Sequence, residues 1–421
     1  MIRALYSLLW CLGMPLVLAR LWWRGRKEPG YRAHWGERLG FYGAPAAARP
    51  TLWVHAVSVG ETRAAEPLVD ALLAAWPDSR IVLTHMTPTG RATGRALFAR
   101  HGARLVQAYL PYDLAPLVRR FIRHFNPRVC ILMETEVWPN LIAACTPQVP
   151  VTLVNARLSE RSLRRGHRFG SLLSDAARAI TLVAAQTEAD ALRIRAMGAP
   201  RVEVTGSIKF DVQVPTAALD TGAWLRQRSG ARAVVLCAST RDGEEVLILD
   251  AWAQRPAALD STLLAIVPRH PQRFDEVAAL AQARGLSVQR RSQLGTDDIT
   301  AQVLLGDSMG EMFAYYAACD LAFIGGSLLP LGGQNLIEAC ALGKPVLIGP
   351  HTFNFALITE EAIAAGGACC VTSAQELLEQ AARLLGDSAQ RSAMGERASR
   401  FASHHRGATL RTVGMLRHLI Y

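Results

Sequence analysis

Lysine is nearly missing from this chain. Of 46 basic residues in 421, only Lys27, Lys209 and Lys344 are lysines; the rest are arginines. Acid is scarcer, 35 Asp and Glu, so the net charge is +11. Planar guanidinium forks suit phosphate and carboxylate, and an anionic partner is one reading; the base composition of the coding sequence gives the same bias. With no basic–aromatic repeat and no recognised nucleic-acid motif, nucleic acid is not an expected partner. The eight cysteines show neither zinc-ligand nor redox spacing, so they are expected as buried free thiols in a reducing compartment, with no metal site. Also absent are G-x-G-x-x-G after the first strand, a Walker lysine loop, H-E-x-x-H and G-x-S-x-G. Their absence argues against dinucleotide enzymes, P-loop enzymes, zinc proteases and serine hydrolases, and no cofactor is expected.

What is present is apolar: half the residues are hydrophobic, enough for two cores of ordinary size. Residues 4–23, "ALYSLLWCLGMPLVLARLWW", are apolar except for Arg20 and are followed by "RGRK". Trp22, Trp23 and the arginines resemble an interfacial belt with a positive-inside flank, which favours an uncleaved anchor with the rest of the chain cytoplasmic. An amphipathic surface helix stays open, because the span is short and holds Pro15. Apolar strand-like runs follow at 52–57, 80–85, 104–109, 128–133, 149–155, 181–186 and 202–206, with helical patterns between several of them. A second series starts at Ala233 with "AVVLCAST", "TLLAIVPR", "SVQRR", "QVLLGD", "LAFIGGS", "KPVLIG" and "ACCVT". Near-continuous apolar strands between helices imply parallel sheets covered on both faces, hence an α/β chain with two doubly wound, Rossmann-like domains. The expected division is 1–27 anchor and basic flank, 28–212 first domain, 213–232 linker, 233–387 second domain, and 388–421 C-terminal helices free to pack back on the first. Nothing in the sequence speaks to oligomeric state.

Both series open with a strand, a Ser turn, Gly and an acid: "VHAVSVGE" and "LCASTRDGEE". Ligands gather at the carboxyl ends of parallel strands, so both turns are expected to face one interdomain cleft. Glu61, at a helix start, is either a dipole partner or a general base for a hydroxyl nucleophile. Glu134 and Glu136 end a strand in "LMETEVWPN", where alternation would put both on one side; Glu136 is equally readable as the cap of a helix near Pro139. Lys209 in "GSIKFD" is a compact charge retained among arginines. In the second half, Ser239, Thr240, Arg241 and Gly243 suit a phosphate at a helix start. "VPRHP" brings Arg269 and His270, where phosphate or carboxylate contact is favoured over acid catalysis. "MGEM" at 309–312 and the glycine pairs 325–326 and 332–333, leading to Asn335 and Glu338, complete a nucleotide-site pattern. The basic run 156–168 is either a solvated face or a surface for anionic lipid.

Eight motifs in register, "HAVSVGE", "METEVWPN", "NARLSERS", "GSIKFD", "STRDGEE", "VPRHP", "MGEM" and "GGSLLPLGGQN-IEA", resemble the 3-deoxy-D-manno-octulosonic acid (Kdo) transferases. That resemblance runs from the anchor to about residue 350. It implies a GT-B fold, with an acceptor-binding first domain and a CMP-sugar-binding second domain. CMP-Kdo would be the co-substrate and a phosphorylated, acylated lipid A precursor the acceptor, at the inner membrane. It further implies Glu61 as base, with Glu134 and Lys209 supporting the transition state. Ser239, Thr240 and Arg241 would lie at the donor phosphate or sugar carboxylate. Arg269, His270, Met309, Gly310, Glu311, Gly333, Asn335, Leu336, Ile337 and Glu338 would hold CMP. The chain departs from the family at Gln334, where histidine is usual, at Leu336-Ile337-Glu338-Ala339 for P-L-E-P, and at Cys237-Ala238-Ser239-Thr240 for A-G-S-T. A base at a helix start would be too acidic, so compensating burial of Glu61 is expected.

Overall fold

The computed structural model describes residues 2–43, 49–168 and 171–420. The chain separates into two compact units, Met1–Asp211 with His405–Tyr421, and Val212–His404. Each unit is built on a seven-stranded sheet whose adjacent strands run parallel. The first holds β1 (Thr51–His55), β2 (Arg80–His85), β3 (Leu105–Tyr109), β4 (Pro127–Met133), β5 (Val151–Ala156), β6 (Leu182–Ala185) and β7 (Val202–Val204), in the spatial order β3-β2-β1-β4-β5-β6-β7. The second holds β8 (Val234–Thr240), β9 (Leu263–Pro268), β10 (Val288–Arg290), β11 (Val303–Leu305), β12 (Leu321–Ile324), β13 (Val346–Ile348) and β14 (Ala368–Cys370), ordered β10-β11-β9-β8-β12-β13-β14. Most strands coincide with one of the apolar runs, because a sheet covered on both faces leaves no polar alternation; the edge strands Val202–Val204 and Val288–Arg290 carry polar residues and are less buried. In β1, Trp53 enters one core cluster while Leu52 and Val54 enter the cluster on the other face.

Strand order reverses between β1 and β4 in the first unit and between β8 and β12 in the second. Loops at the carboxyl ends of such a pair diverge and open a crevice, the usual seat of a ligand in a doubly wound sheet. In both units the loops that carry the acidic and glycine motifs sit at this point.

Three expectations change. The stretch 61–75, which reads from its apolar spacing as one helix after the first strand, is two helices, Val59–Ala64 and Glu66–Ala75, interrupted where Pro67 supplies no N–H. The expected linker holds a 13-residue helix, Thr216–Arg228, that belongs to the second unit. At Gly222 an added Cβ would lie 2.5 Å from Ala317 Cβ, so this helix approaches Met312–Ala318 closely. The cysteines are all free, but Cys11 and Cys370 are exposed and Cys369 is half-buried.

The C-terminal helices divide between the units. Ser388–His404 stays with the second, while Ala408–Leu416 inserts Ala408, Val413 and Leu416 into the first core. Asp211 fixes that insertion by accepting from Gly407 N and Thr409 N, each at 2.5 Å.

Candidate active site

The first unit builds its site from β1 outward. After β1 the chain turns at Ser58, whose Oγ accepts from Glu61 N and caps the helix Val59–Ala64. Glu61 reaches back: Oε2 accepts from Val57 N at 2.8 Å and Oε1 from Ser58 Oγ at 3.3 Å. Burial nevertheless pushes its carboxyl up to about 7, against the Val57 and Ser58 hydrogen bonds and with the fields of Glu136 and Glu134 adding to the lift. A neutral layer lies beneath. His85 Nδ1 sits 3.0 Å from Ala56 O, and burial lowers it to about 4; His55 is lowered to about 3 for the same reason.

β4 ends at Met133, and Glu134 takes φ +53, a left-handed conformation unusual for a side-chain-bearing residue. Strand alternation therefore does not orient the two acids as expected. Glu134 turns into the protein, 5% exposed, and pairs with Lys209 Nζ at 2.9 Å and Arg157 Nη2 at 3.2 Å. Glu136 instead accepts from Trp138 Nε1 at 2.9 Å, and burial raises its carboxyl as well. Its expected capping role is overturned: Asp113 accepts from Asn140 N and Leu141 N at the start of the helix Pro139–Cys145. Lys209 lies on a short turn, Ile208–Phe210, capped by Ser207 and tied to the end of β5 by Ile208 N donating to Asn155 Oδ1. Glu61, Glu134 and Lys209 thus come together, joined by Glu136 and by Arg157. Arg157 was read as part of a basic surface. Of the rest of that run, Arg161, Arg164 and Arg165 are exposed, and the side chain of Arg168 lies outside the described residues.

In the second unit Ser239 forms a bulge in β8 at φ +55, and Thr240 is buried. The loop after β12 closes on it. A Cβ at Gly325 would stand 2.6 Å from Ser239 O, so only glycine fits. Glu244, fully buried, binds the two loops together, accepting from Arg241 N, Gly326 N, Ser327 N and Leu328 N at 2.5–3.0 Å. Glu245 is held by Thr240 Oγ1 and Arg273. Arg241, Arg269 and Arg273 all act on His270, whose imidazole is lowered first by burial and then by these three cations. Arg273 is itself paired with Asp242, Glu245 and Glu276, so Arg241 and Arg269 are the candidate anion contacts here. The Gln334 side chain lies over Gly326 beside Arg241.

After β11, Gly310 has φ +84, Met309 is exposed, and Glu311 is held by Arg291 at 2.9 Å and Ser308 at 2.5 Å. Gly333, at φ +71, donates its N–H to Gly326 O. Asn335 donates to Glu338 Oε1 and accepts from Ile337 N, starting the short helix Ile337–Ala341. The side chains of Leu336 and Ile337 are fully buried, and the Ile337 amide donates to Asn335 Oδ1. Glu244 and Arg273 escaped the sequence reading because an acid at a helix start resembles an ordinary dipole partner, and Arg273 lies outside every motif. Among the described residues, no cluster of His, Cys, Asp and Glu is grouped to hold a metal ion.

The family model described as 3-deoxy-D-manno-octulosonic-acid transferase matches residues 33–212. The Kdo transferase of Bordetella pertussis is 47% identical over 426 residues, covering 98% of this chain and 98% of its own. That of Haemophilus influenzae is 37% identical, covering 99% and 98%. Among solved structures, the UDP-GlcNAc 2-epimerase of Neisseria meningitidis superposes with a TM-score of 0.57 at 17% identity, covering 87% of this chain and 99% of its own. At that identity it speaks for the shared GT-B fold alone. Fold, motif order and full-length identity converge, and the chain belongs to the Kdo transferase family of glycosyltransferases.

Proposed function

We propose that the enzyme moves Kdo from CMP-Kdo to a hydroxyl of the tetra-acylated lipid A precursor, in one displacement with inversion at the anomeric carbon. The observation that carries this reading is Glu61, a half-buried carboxylate poised near neutrality within the fields of two further acids. Its anionic form takes the proton of the acceptor hydroxyl as that oxygen bonds to the anomeric carbon. The bond from that carbon to the CMP phosphate breaks, and CMP leaves as an anion. The pair of cations on Glu134, Lys209 and Arg157, suits the carboxylate that Kdo carries. Arg241 and Arg269, beside His270, suit the phosphate of CMP, with Gly310 and the Gly333–Asn335 loop offering close backbone approach. Charge on the leaving group is met by these fixed cations and helix starts, so the mechanism calls for no metal.

The exposed leucines of the helix Ile2–Arg24, with mean hydropathy 1.7 over its most apolar window, support anchoring at the inner membrane with both units on the cytoplasmic face. A mass-spectrometric transfer assay tests the whole reading, with detergent-solubilised protein, CMP-Kdo generated in place and the tetra-acylated precursor. A product heavier by whole Kdo residues, lost in Glu61→Gln, is expected. No product from folded protein would sink the donor and acceptor together and turn attention to UDP-sugars.

A further inference from the structure

The N-terminal helix carries polar side chains where a simple anchor has no use for them. Leu5, Leu8, Leu9, Leu12 and Leu16 are exposed. On another face, Tyr6, Ser7 and Trp10 meet the first unit. Trp10 lies 5.7 Å, ring to ring, from Tyr112. Tyr6 OH donates to Asp113 Oδ2 at 3.0 Å, and Asn140 Nδ2 donates to Ser7 Oγ at 3.0 Å. A hydroxyl on an apolar helix is a liability unless it is hydrogen-bonded; that of Tyr6 is spent on Asp113, and that of Ser7 on Asn140 and the Arg3 carbonyl.

Asp113 and Asn140 hold the catalytic loop. Asp113 is 1% exposed; besides Tyr6 it takes Asn140 N at 3.1 Å and Leu141 N at 2.7 Å, and its own carbonyl receives Asn140 Nδ2 at 2.8 Å. It therefore sets where the helix Pro139–Cys145 begins. The residue before that helix is Trp138, whose indole donates to Glu136 and whose ring stands 6.4 Å from His55. His55 ends the strand that leads to Val57, whose N–H holds Glu61, and Glu136 acts on Glu61 through its field. Contacts thus run from the apolar helix through Asp113 and the Trp138 loop to the strand end that carries Glu61.

We propose that the N-terminal helix is a working part of the acceptor site, with Tyr6 and Asp113 as positioning residues that fix the Trp138 loop and hold Glu136 beside Glu61. The inference rests on the function proposed above. Membrane attachment and chemistry are then coupled through the Tyr6–Asp113 and Ser7–Asn140 hydrogen bonds, and a chain that only floats near the bilayer is not enough.

The test uses the full-length protein in detergent micelles with dispersed acceptor, so that membrane targeting is bypassed. Tyr6→Phe is expected to lower kcat about tenfold, the loss of one hydrogen bond to a charged group, with donor KM and vesicle binding unchanged. In a Glu136→Gln background it should have no further effect, because both changes act through one loop. Leu12→Ser, on the exposed face, should weaken vesicle binding and leave kcat in detergent intact. Full activity of Tyr6→Phe, losses that multiply in the double variant, or a loss that merely follows the fraction of folded protein by circular dichroism would each overturn the inference. An inactive parent protein sinks the function it rests on; an active parent with an equally active Tyr6→Phe sinks the inference alone.

Discussion

At Glu61 the Ser58 cap and the Val57 amide favour the anion, while burial and the fields of Glu136 and Glu134 favour the proton, and burial wins. The consequence is kinetic: the rise of kcat/KM with pH should centre near 7, and Glu61→Gln should lower kcat by about 10²–10⁴. It is also thermodynamic. Glu61 binds its proton more tightly folded than unfolded, so stability falls as pH rises from 4.5 through about 7. The lift is equivalent to about 3 kcal/mol, so Glu61→Gln should melt above the parent at pH 8 and near it at pH 4. A variant that melts lower at both values would mark Glu61 as a cap and no more. The sequence shows the capping box here, since Ser58 and Glu61 stand three apart. It does not show which tendency prevails, because that depends on Glu136 and Glu134, more than 70 residues away. Arg157 teaches the same lesson: within a run of arginines nothing distinguishes the one that turns inward to Glu134.

The elements that hold these side chains are strand-end loops stitched by single acids. Glu244 gathers four backbone N–H groups across the β8 and β12 loops, so Glu244→Gln should leave some of those donors unmet. A loss of about 1–3 kcal/mol in denaturant unfolding is expected, together with a raised KM for the donor. Unchanged stability would show that the loops hold without it. Asp211 does comparable work in the first unit. It caps the start of the C-terminal helix and follows directly on the Ile208–Phe210 turn that bears Lys209. Asp211→Ala should cost about 1–2 kcal/mol of stability and should reduce kcat by displacing Lys209. Equal kcat at full folding would separate the tail from the site. Most of the fourteen strands are legible as short apolar runs that only a doubly covered sheet can bury, whereas the edge strands Val202–Val204 and Val288–Arg290 are partly polar and less buried. The helix within 213–232 was not, because its polar, low-contrast sequence reads as a linker until Gly222 meets Ala314 and Ala317.

Over the whole molecule, one chain makes two sheets with the same reversal of strand order, then returns its last residues to the first unit. The N-terminal helix is likewise bound to its unit, with Met14, Val17, Leu18 and Leu21 packing around Tyr31 and Tyr112. Its exposed leucines form a separate stripe. Replacing Leu5, Leu8 and Leu16 together by Ser should reduce flotation with vesicles by about tenfold or more, since each buried leucine side chain contributes roughly 1.5–3 kcal/mol. Undiminished flotation would move the membrane contact elsewhere.

The sequence by itself determined the architecture and the chemistry of the parts. Apolar runs fix where strands form, and the Ser58–Glu61 spacing fixes a helix start. The order of eight motifs, together with the identities of Glu61, Glu134 and Lys209, points to the family. Tertiary structure alone decided how those parts act on one another. It chose Asp113 over Glu136 as the acceptor at the helix start near Pro139, turned Glu134 toward a pair of cations, buried Leu336 and Ile337, and tied Tyr6 to Asp113. The reason is physical: secondary structure follows from neighbours along the chain, whereas the charge of a buried carboxylate follows from neighbours in space.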